Sequence, residues 1–330
     1  MPFDNPIGYA LRDTIDGEIK RLQRAGESTN DVRHHLGASV VGDECARARW
    51  YAFRWATKVE FEGRILRLFD RGHKEEPRFF EWLDMVGAEI RAHAQQLLWH
   101  PESDSYVVEE WDVEYSVELV DVTDILMHRQ RAEKQGIKVR QWGFVADDGH
   151  FAGSGDAKGR HIPGQEHFVP WDEWILVECK THNDKSFKGL VEHGVQRGKS
   201  EHYHQVQHYM SRLGLRLCCY LGVNKNDDEL YPEFIPLDPA FAPSKEHEIR
   251  EAIYSPRPPK RISAHPTWYK CKWCDHRPTC HFGEPMRKSC RTCVMAQPID
   301  AGQWKCHRWG KTIPKAAQID GCGHWQQIEG

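Results

Sequence analysis

A chain of 330 residues is long enough for one large domain or two modest ones, and its 39% apolar and 11% aromatic content excludes a disordered polymer. No run approaches the roughly eighteen apolar residues of a membrane span, and the start, MPFDNPIGYALRD, lacks the basic head and apolar stretch of a signal peptide, which points to the cytoplasm. The net charge of −4 neither advertises nor excludes nucleic acid, because an enzyme gripping DNA in one channel needs only local basic charge.

Taken in chain order, residues 8–26 have helical spacing with alternating charge. In LGASVVGDECARARWYAFRW, Ser39 is placed to cap a short turn that leads to a helix carrying Cys45, Arg47 and Trp50. A longer helix is predicted from Arg64 to Val86 on the apolar positions Ile65, Leu66, Leu68, Phe69, Phe79, Phe80 and Leu83, with Pro77 kinking it or starting a new segment. The middle reads as strands. YVVEEWDVEYSVEL alternates in part, and QWGFVADDGHFAGSGDAKGR reads as two strands joined at the Asp148-Gly149 turn. The stretch Leu119 to Arg140 reads only as an insertion near a substrate entrance. WILVECKT is the compact apolar run of a central strand; residues 200–213 are helical, and RLCCYLGVN returns as a strand. Together these predict an α/β fold with a mixed central sheet flanked by helices. After the Pro-rich SPRPPKRISAHP, the last sixty or so residues hold seven of the 11 cysteines and little to build an apolar core. That tail is expected to be organised by metal or left loose.

Chemistry concentrates first at Glu178-Cys179-Lys180. On a strand Glu178 and Lys180 share one face, and a buried strand does not place a carboxylate and an ammonium there without cause, since each is costly to desolvate alone. Upstream, GSGDAKGR sets Asp156 among small residues where a ligand can approach closely. If the two segments pair, Asp156 and Glu178 converge on one divalent cation, and carboxylate oxygens suit Mg²⁺ or Mn²⁺. An E-x-K alone recurs by chance in most proteins. Here its strand is otherwise apolar, an Asp lies a hairpin upstream, and a helix with Gln205 and Tyr209 follows.

In this order the upstream Gly-His, G-x-x-D, E-x-K and Q-x-x-x-Y resemble the RecB-type branch of the PD-(D/E)XK nucleases, over roughly residues 36–282. The resemblance implies a restriction-endonuclease-like core. It places Gly153 and Asp156 in the second motif, Glu178 and Lys180 in the third, Gln205 and Tyr209 in the helix that follows, and His73, or failing it Glu76, in the first within FDRGHKEEPRFFEWL. It further implies phosphodiester hydrolysis with cations on His73, Asp156 and Glu178, and with Lys180 orienting water or stabilising charge. Gln205 and Tyr209 would support that site or touch the nucleic-acid backbone, although Tyr209, with Met210, equally suits a helix core. The segment after the E-x-K is basic, and Lys185, Lys188, Arg197 and Lys199, with Phe187 to stack on a base, are candidate DNA contacts; a solvated loop explains those charges equally well.

Cys271-x2-Cys274-x5-Cys280 is a metal-ligand spacing. The resemblance implies a [4Fe–4S] cluster completed by the distant Cys45, with His281 as substitute, clasping the N-terminal helices to the C-terminal end. Cys290, Cys293, Cys306 and Cys322 suit a structural Zn²⁺, with His307 or His324 as replacements. A zinc ribbon of Cys271/Cys274 with Cys290/Cys293 is a rival partition, but it strands three cysteines. Cys179, Cys218 and Cys219 read as core. The expected domains are an N-terminal helical region at 1–60 contributing a cluster cysteine, a nuclease core at 61–255, an iron–sulfur segment at 256–284 and a zinc-binding tail at 285–330. The expected function is a DNA exonuclease acting at ends in phage or bacterial recombination, with DNA, a single-strand annealing or recombination protein and further copies of the chain as possible partners. The alternatives are a CRISPR-type spacer-processing or structure-specific endonuclease and, from another class, a non-catalytic nucleic-acid-binding protein on a nuclease fold.

Overall fold

The run predicted as a central strand forms β8 (Ile175–His182), the middle strand of a five-stranded sheet. The computed structural model describes residues 6–26, 33–100, 105–110, 135–137, 139–162, 164 and 170–329. Most of the unassigned stretch between Leu119 and Arg140, and the second half of YVVEEWDVEYSVEL, lie outside these. The chain divides into two compact units, one of Met1–Asp70, Val145–Ala152 and Lys245–Gly330, the other of Arg71–Phe144 and Gly153–Ser244.

The second unit holds the five-stranded sheet. β8 pairs antiparallel with β7 (Ala157–His161), which pairs with β2 (Ala88–Arg91), and parallel with β9 (Leu217–Asn224), which pairs with β10 (Leu230–Pro236). Register sets Ala157 opposite Val177, Glu178 opposite Tyr220 and Lys180 opposite Gly222. One face carries Ile90, Ala157, Val177, Cys219 and Val223 against Phe79, Phe80 and Leu83 of α4 (Gly63–Met85). The helix runs on through Pro77, with no new segment starting there. On the other face lie α5 (Asp184–Gly198) and α6 (Ser200–Leu213); Leu190 of α5 meets Gly222, and Tyr209 of α6 meets Gly155. Burial on both faces is what makes β8 and β9 read as continuous apolar runs. A separate hairpin, β3 (Gln95–His100) with β4 (Ser105–Glu110), accounts for the first half of the alternating segment.

The segment predicted as two strands forms three. β5 (Gly143–Ala146) and β6 (Phe151–Ser154) flank a 3-10 turn at Asp147–Gly149, and β7 starts after Asp156 in the other sheet. Asp147 and Asp148 take positive φ of 47° and 53° in that turn, which short polar side chains tolerate.

In the first unit, α1 (Pro6–Gly26) follows the predicted helix, and β1 (Leu36–Gly37) pairs with Phe151 and Ala152 of β6. Ser39 is not a cap; it lies inside the short α2 (Ala38–Val41). At the start of α3 (Ala46–Phe53) the Cys45 N–H donates instead to Asp43 Oδ1 at 2.8 Å.

The tail, whose composition offers little for an apolar core, packs around one that it shares with α3. β11 (Ala296–Ile299), β12 (Gln303–Cys306) and β13 (Lys311–Ile313) form an antiparallel sheet whose Trp304 is fully buried, its ring 5.6 Å from that of Phe53. Two buried guanidiniums complete it. Arg54 lies over Trp50 and Trp304 and donates to the carbonyls of Ser255 and Arg291, each at 3.0 Å. Arg291 lies 3.8 Å from the Trp55 ring centroid and donates to Phe53 O at 2.9 Å and His34 O at 2.8 Å. Burial pulls both down to about 9; the carbonyls and ring faces stand in for the missing carboxylates. Among the described residues no helix is long and apolar enough to cross a membrane.

Candidate active site

Strand pairing in the second unit brings together the three side chains that the E-x-K and G-x-x-D spacing singled out. The last residue before β7, Asp156, accepts the Cys179 N–H on Oδ2 at 2.8 Å, and the same oxygen lies 3.7 Å from Lys180 Nζ. Lys180 Nζ also donates to Glu178 Oε1. The side chains of Asp156 and Lys180 keep 24% and 23% exposure, so solvent or a ligand reaches them, whereas Glu178 is sealed at 0%. Its second oxygen, Oε2, is buried without a hydrogen-bond partner. One ammonium thus faces two carboxylates in a desolvated site. Burial, then the charge of Asp156, push the Glu178 carboxyl upward against the pull of Lys180. Burial alone would lower Lys180, but Asp156 and Glu178 outweigh it and hold the ammonium charged well above its usual range.

Close backbone approach builds the pocket. A Cβ on Gly155 would fall 2.6 Å from Leu176 Cδ1 and 3.7 Å from Tyr209, so the small residue needed beside Asp156 is Gly155, while Gly153 lies in β6. Tyr209 is buried and accepts from Gln205 Nε2 at 2.8 Å, one turn apart on α6; burial, then Glu178, raise its phenol. Of the first-motif residues, Glu76 acts electrostatically on Glu178 and Cys179. His73 is exposed on α4. Among the described residues no three of His, Cys, Asp and Glu are arranged to hold a metal ion, so His73, Asp156 and Glu178 do not form a ready coordination sphere.

The basic segment after β8 is helix, not loop, and Phe187 is 2% exposed in its core; it cannot stack on a base. Lys185 and Arg197 are exposed, Lys188 is exposed but paired with Asp184 at 2.8 Å, and Lys199 is half-buried, donating to Ser186 Oγ at 2.5 Å. The helix bends at Gly194 (φ 68°), where Glu233 accepts the Val195 N–H at 2.8 Å.

A network that sequence reasoning missed adjoins Lys180. Tyr220 Oη lies 3.0 Å from His182 Nε2 and 2.8 Å from His202 Nδ1, and His182 Nδ1 lies 3.1 Å from Ser186 Oγ. Burial, then Lys199 and Lys180, lower His182 to about 4; burial, then Lys180 and His182, lower His202 to about 3. Both rings are neutral near pH 7. Three elements, β8, β9 and α6, meet at the Tyr220 hydroxyl, and α5 adds Ser186; no local motif signals the cluster.

In the first unit, Cys45, Cys271, Cys274 and Cys280 line one pocket with Arg47, Arg261, His276, Arg277 and His281. Burial raises the Cys274 thiol to about 11, with Asp43 and Cys45 adding to it. Burial likewise raises Cys290 to about 11, followed by the influence of Cys322, Cys293 and Cys306. The thiols therefore group as two quartets, all of them free and neither one in ready coordination geometry. His281 borders the first pocket, while His324 stacks edge-on with Trp309 at 5.6 Å and the His307 N–H donates to Met295 O. Cys218 and Cys219 are buried in β9, and Cys179 packs half-buried against the sheet core.

No family model and no curated protein matches this chain. Among solved structures it is similar to the alkaline exonuclease of Laribacter hongkongensis, at 15% identity and a TM-score of 0.34 over 67% of this chain and 87% of that one. The same enzyme in complex with dAMP is similar at 13% identity and a TM-score of 0.33, over 66% and 86%. SSO0001 is similar at 12% identity and a TM-score of 0.38, over 82% and 96%.

Proposed function

We propose that the chain is a Mg²⁺- or Mn²⁺-dependent deoxyribonuclease of the PD-(D/E)XK type that removes nucleotides from DNA ends. The observation that carries this is Glu178: a fully buried carboxylate with one oxygen lacking any partner, beside Asp156 and a lysine held charged. Such an oxygen costs stability unless an electropositive ligand takes it, and two carboxylates around one site suit a hard cation. Asp156 and Glu178 would hold that cation, with Glu76 in electrostatic reach, and His73 would join only if α4 turns its exposed face inward. Held there, a cation would supply polarisation of a phosphate and a lowered pKa for a water beside it. Lys180 orients the attacking water or neutralises the charge growing on the phosphate oxygens. Asp156 is anchored by the Cys179 N–H, and the Gln205–Tyr209 pair braces the wall behind Glu178. Exposed Lys185, Lys188 and Arg197 are the candidate DNA contacts of α5; Lys199 serves Ser186 first.

For the quartets, the same reading assigns a [4Fe–4S] cluster of the RecB-like branch to Cys45, Cys271, Cys274 and Cys280, where four thiolates would leave a net negative group for the neighbouring arginines to balance. Cys290, Cys293, Cys306 and Cys322 fit a structural Zn²⁺. A role in phage or bacterial recombination, with an annealing protein as partner, belongs to the same reading.

The test is cleavage of end-labelled linear and circular DNA by anaerobically purified, metal-replete protein with Mg²⁺ or Mn²⁺, wild type against Lys180→Ala. Metal-dependent loss of linear DNA alone, abolished by the substitution, is the expected result. Cutting of circles favours a structure-specific endonuclease, and no cleavage of any substrate leaves a nucleic-acid-binding protein on a nuclease fold.

A further inference from the structure

β7 extends the face that carries Asp156. Side chains alternate along a strand, so Lys158, in register with Leu176, and Arg160 beyond it share the face that carries Glu178 and Lys180. In register, Arg91 of β2 stands opposite Lys158 and Glu89 opposite Arg160. Glu89 accepts from Arg160 Nε at 2.7 Å and pairs with Arg91 at 2.8 Å. No carboxylate among the described residues pairs with Lys158. Its half-buried Nζ lies 4.2 Å from the centroid of the Trp142 ring. Trp142 is fixed at both ends: its Nε1 donates to Arg91 O at 2.7 Å, and its carbonyl accepts from Gly155 N at 2.9 Å, directly before Asp156. Trp174, just ahead of β8, has the guanidinium carbons of Arg91 and Arg160 each 4.6 Å from its ring centroid. Among the described residues, Glu89 is the carboxylate placed among these three cations, with two indoles beside them, starting next to the candidate catalytic group.

We propose that Lys158, Arg160 and Arg91, with Trp142 and Trp174, form a track for a single nucleic-acid strand leading to Asp156, Glu178 and Lys180; the proposal rests on the nuclease reading above. Lys158 takes the phosphate next to the one at the site, because its charge is half-desolvated and unopposed. Arg160 and Arg91, already shared with Glu89, hold the backbone further out. Recessed cations interleaved with aromatic rings suit a strand whose bases are free to stack, whereas a duplex keeps its bases paired and offers phosphates only.

The experiment is fluorescence anisotropy of a labelled oligothymidylate and of a duplex of equal length, in EDTA and over a range of salt. For Lys158→Gln, single-strand binding should weaken roughly three- to tenfold at low salt, and the slope of log K against log salt should fall by about 0.7, one phosphate contact. Lys158→Arg should restore the slope, and both variants should keep the wild-type melting temperature. An unchanged slope in Lys158→Gln overturns the track, and so does an equal loss on duplex. Chelation separates the two readings. A Lys158-dependent slope in a protein that cleaves nothing with Mg²⁺ or Mn²⁺ removes the nuclease and keeps the track; cleavage with an unchanged slope does the reverse.

Discussion

Replacing Glu178 by Gln should make the metal-free protein more stable, and increasingly so as pH rises. In the fold this carboxylate is sealed, shares one ammonium with Asp156, and leaves Oε2 without a partner. Its pKa is raised above the unfolded value. A group raised in this way contributes stability fully present below the unfolded carboxylate pKa and lost as pH climbs through the folded one. Gln keeps an acceptor for Lys180 and leaves its amide nitrogen as partnerless as Oε2. What it removes is the buried charge, which makes an unsatisfied group the more costly. An unsatisfied buried polar group costs about 1–3 kcal/mol, and each kcal/mol moves the melting point of a unit of this size by about 2–4 °C. The variant should therefore melt roughly 2–12 °C above wild type at pH 8.5 in EDTA, with little difference at pH 5. Manganese should reverse the order, raising wild type by about 2.7 kcal/mol at a hundredfold excess over its dissociation constant and leaving Glu178→Gln unmoved. Differential scanning calorimetry at two pH values, with and without Mn²⁺, reads all four conditions. A variant that melts below wild type at pH 8.5 in EDTA would refute the reasoning, since attraction to Lys180 would then exceed the cost of burial.

Acid should act through the histidine pair. His182 and His202 are held neutral down to about 4 and about 3 while their unfolded forms titrate near 6.5, so the stability they contribute is complete above that value and lost as pH falls through it. His182→Gln/His202→Gln should lower the melting point at pH 7.5 yet show a shallower decline from pH 7 to pH 5 by circular dichroism. Arg291→Met should cost at least about 3 kcal/mol in urea unfolding, because it leaves the carbonyls of Phe53 and His34 without their donor, and Arg291→Lys should recover little of it, since an ammonium cannot fork to both. Gly155→Ala should destabilise by about 1–3 kcal/mol as Leu176 is pushed aside; an unperturbed urea midpoint would count against the close approach beside Asp156. Elemental analysis should find one zinc per chain in the wild type and less than half in Cys306→Ser; no zinc in either would remove the metal from the tail.

What the sequence made legible was whatever depends on neighbours along the chain. β8, α6 and β9 follow from apolar runs and turn residues, and strand alternation alone sets Glu178 and Lys180 on one face. Phe187 was misjudged because a basic stretch with one aromatic reads the same whether the ring faces a ligand or, at helical spacing with Leu190, the sheet. The Tyr220 network is assembled from β8, β9 and α6, so no window of sequence contains it. The tail seemed coreless for the same reason: Trp304 finds its partners on α3, far upstream.

That long reach bears on how the chain is made. Arg54 caps the end of α3, but the two carbonyls it donates to lie 201 and 237 residues further along. A ribosome exposes the arginine and its neighbouring tryptophan long before either acceptor exists. Until then the end of α3 carries an unsatisfied guanidinium on an open indole surface, a site for a chaperone or for another nascent chain. Completion of this unit therefore waits on Ser255 and on the tail residue Arg291, whose carbonyls must both be delivered to the end of α3.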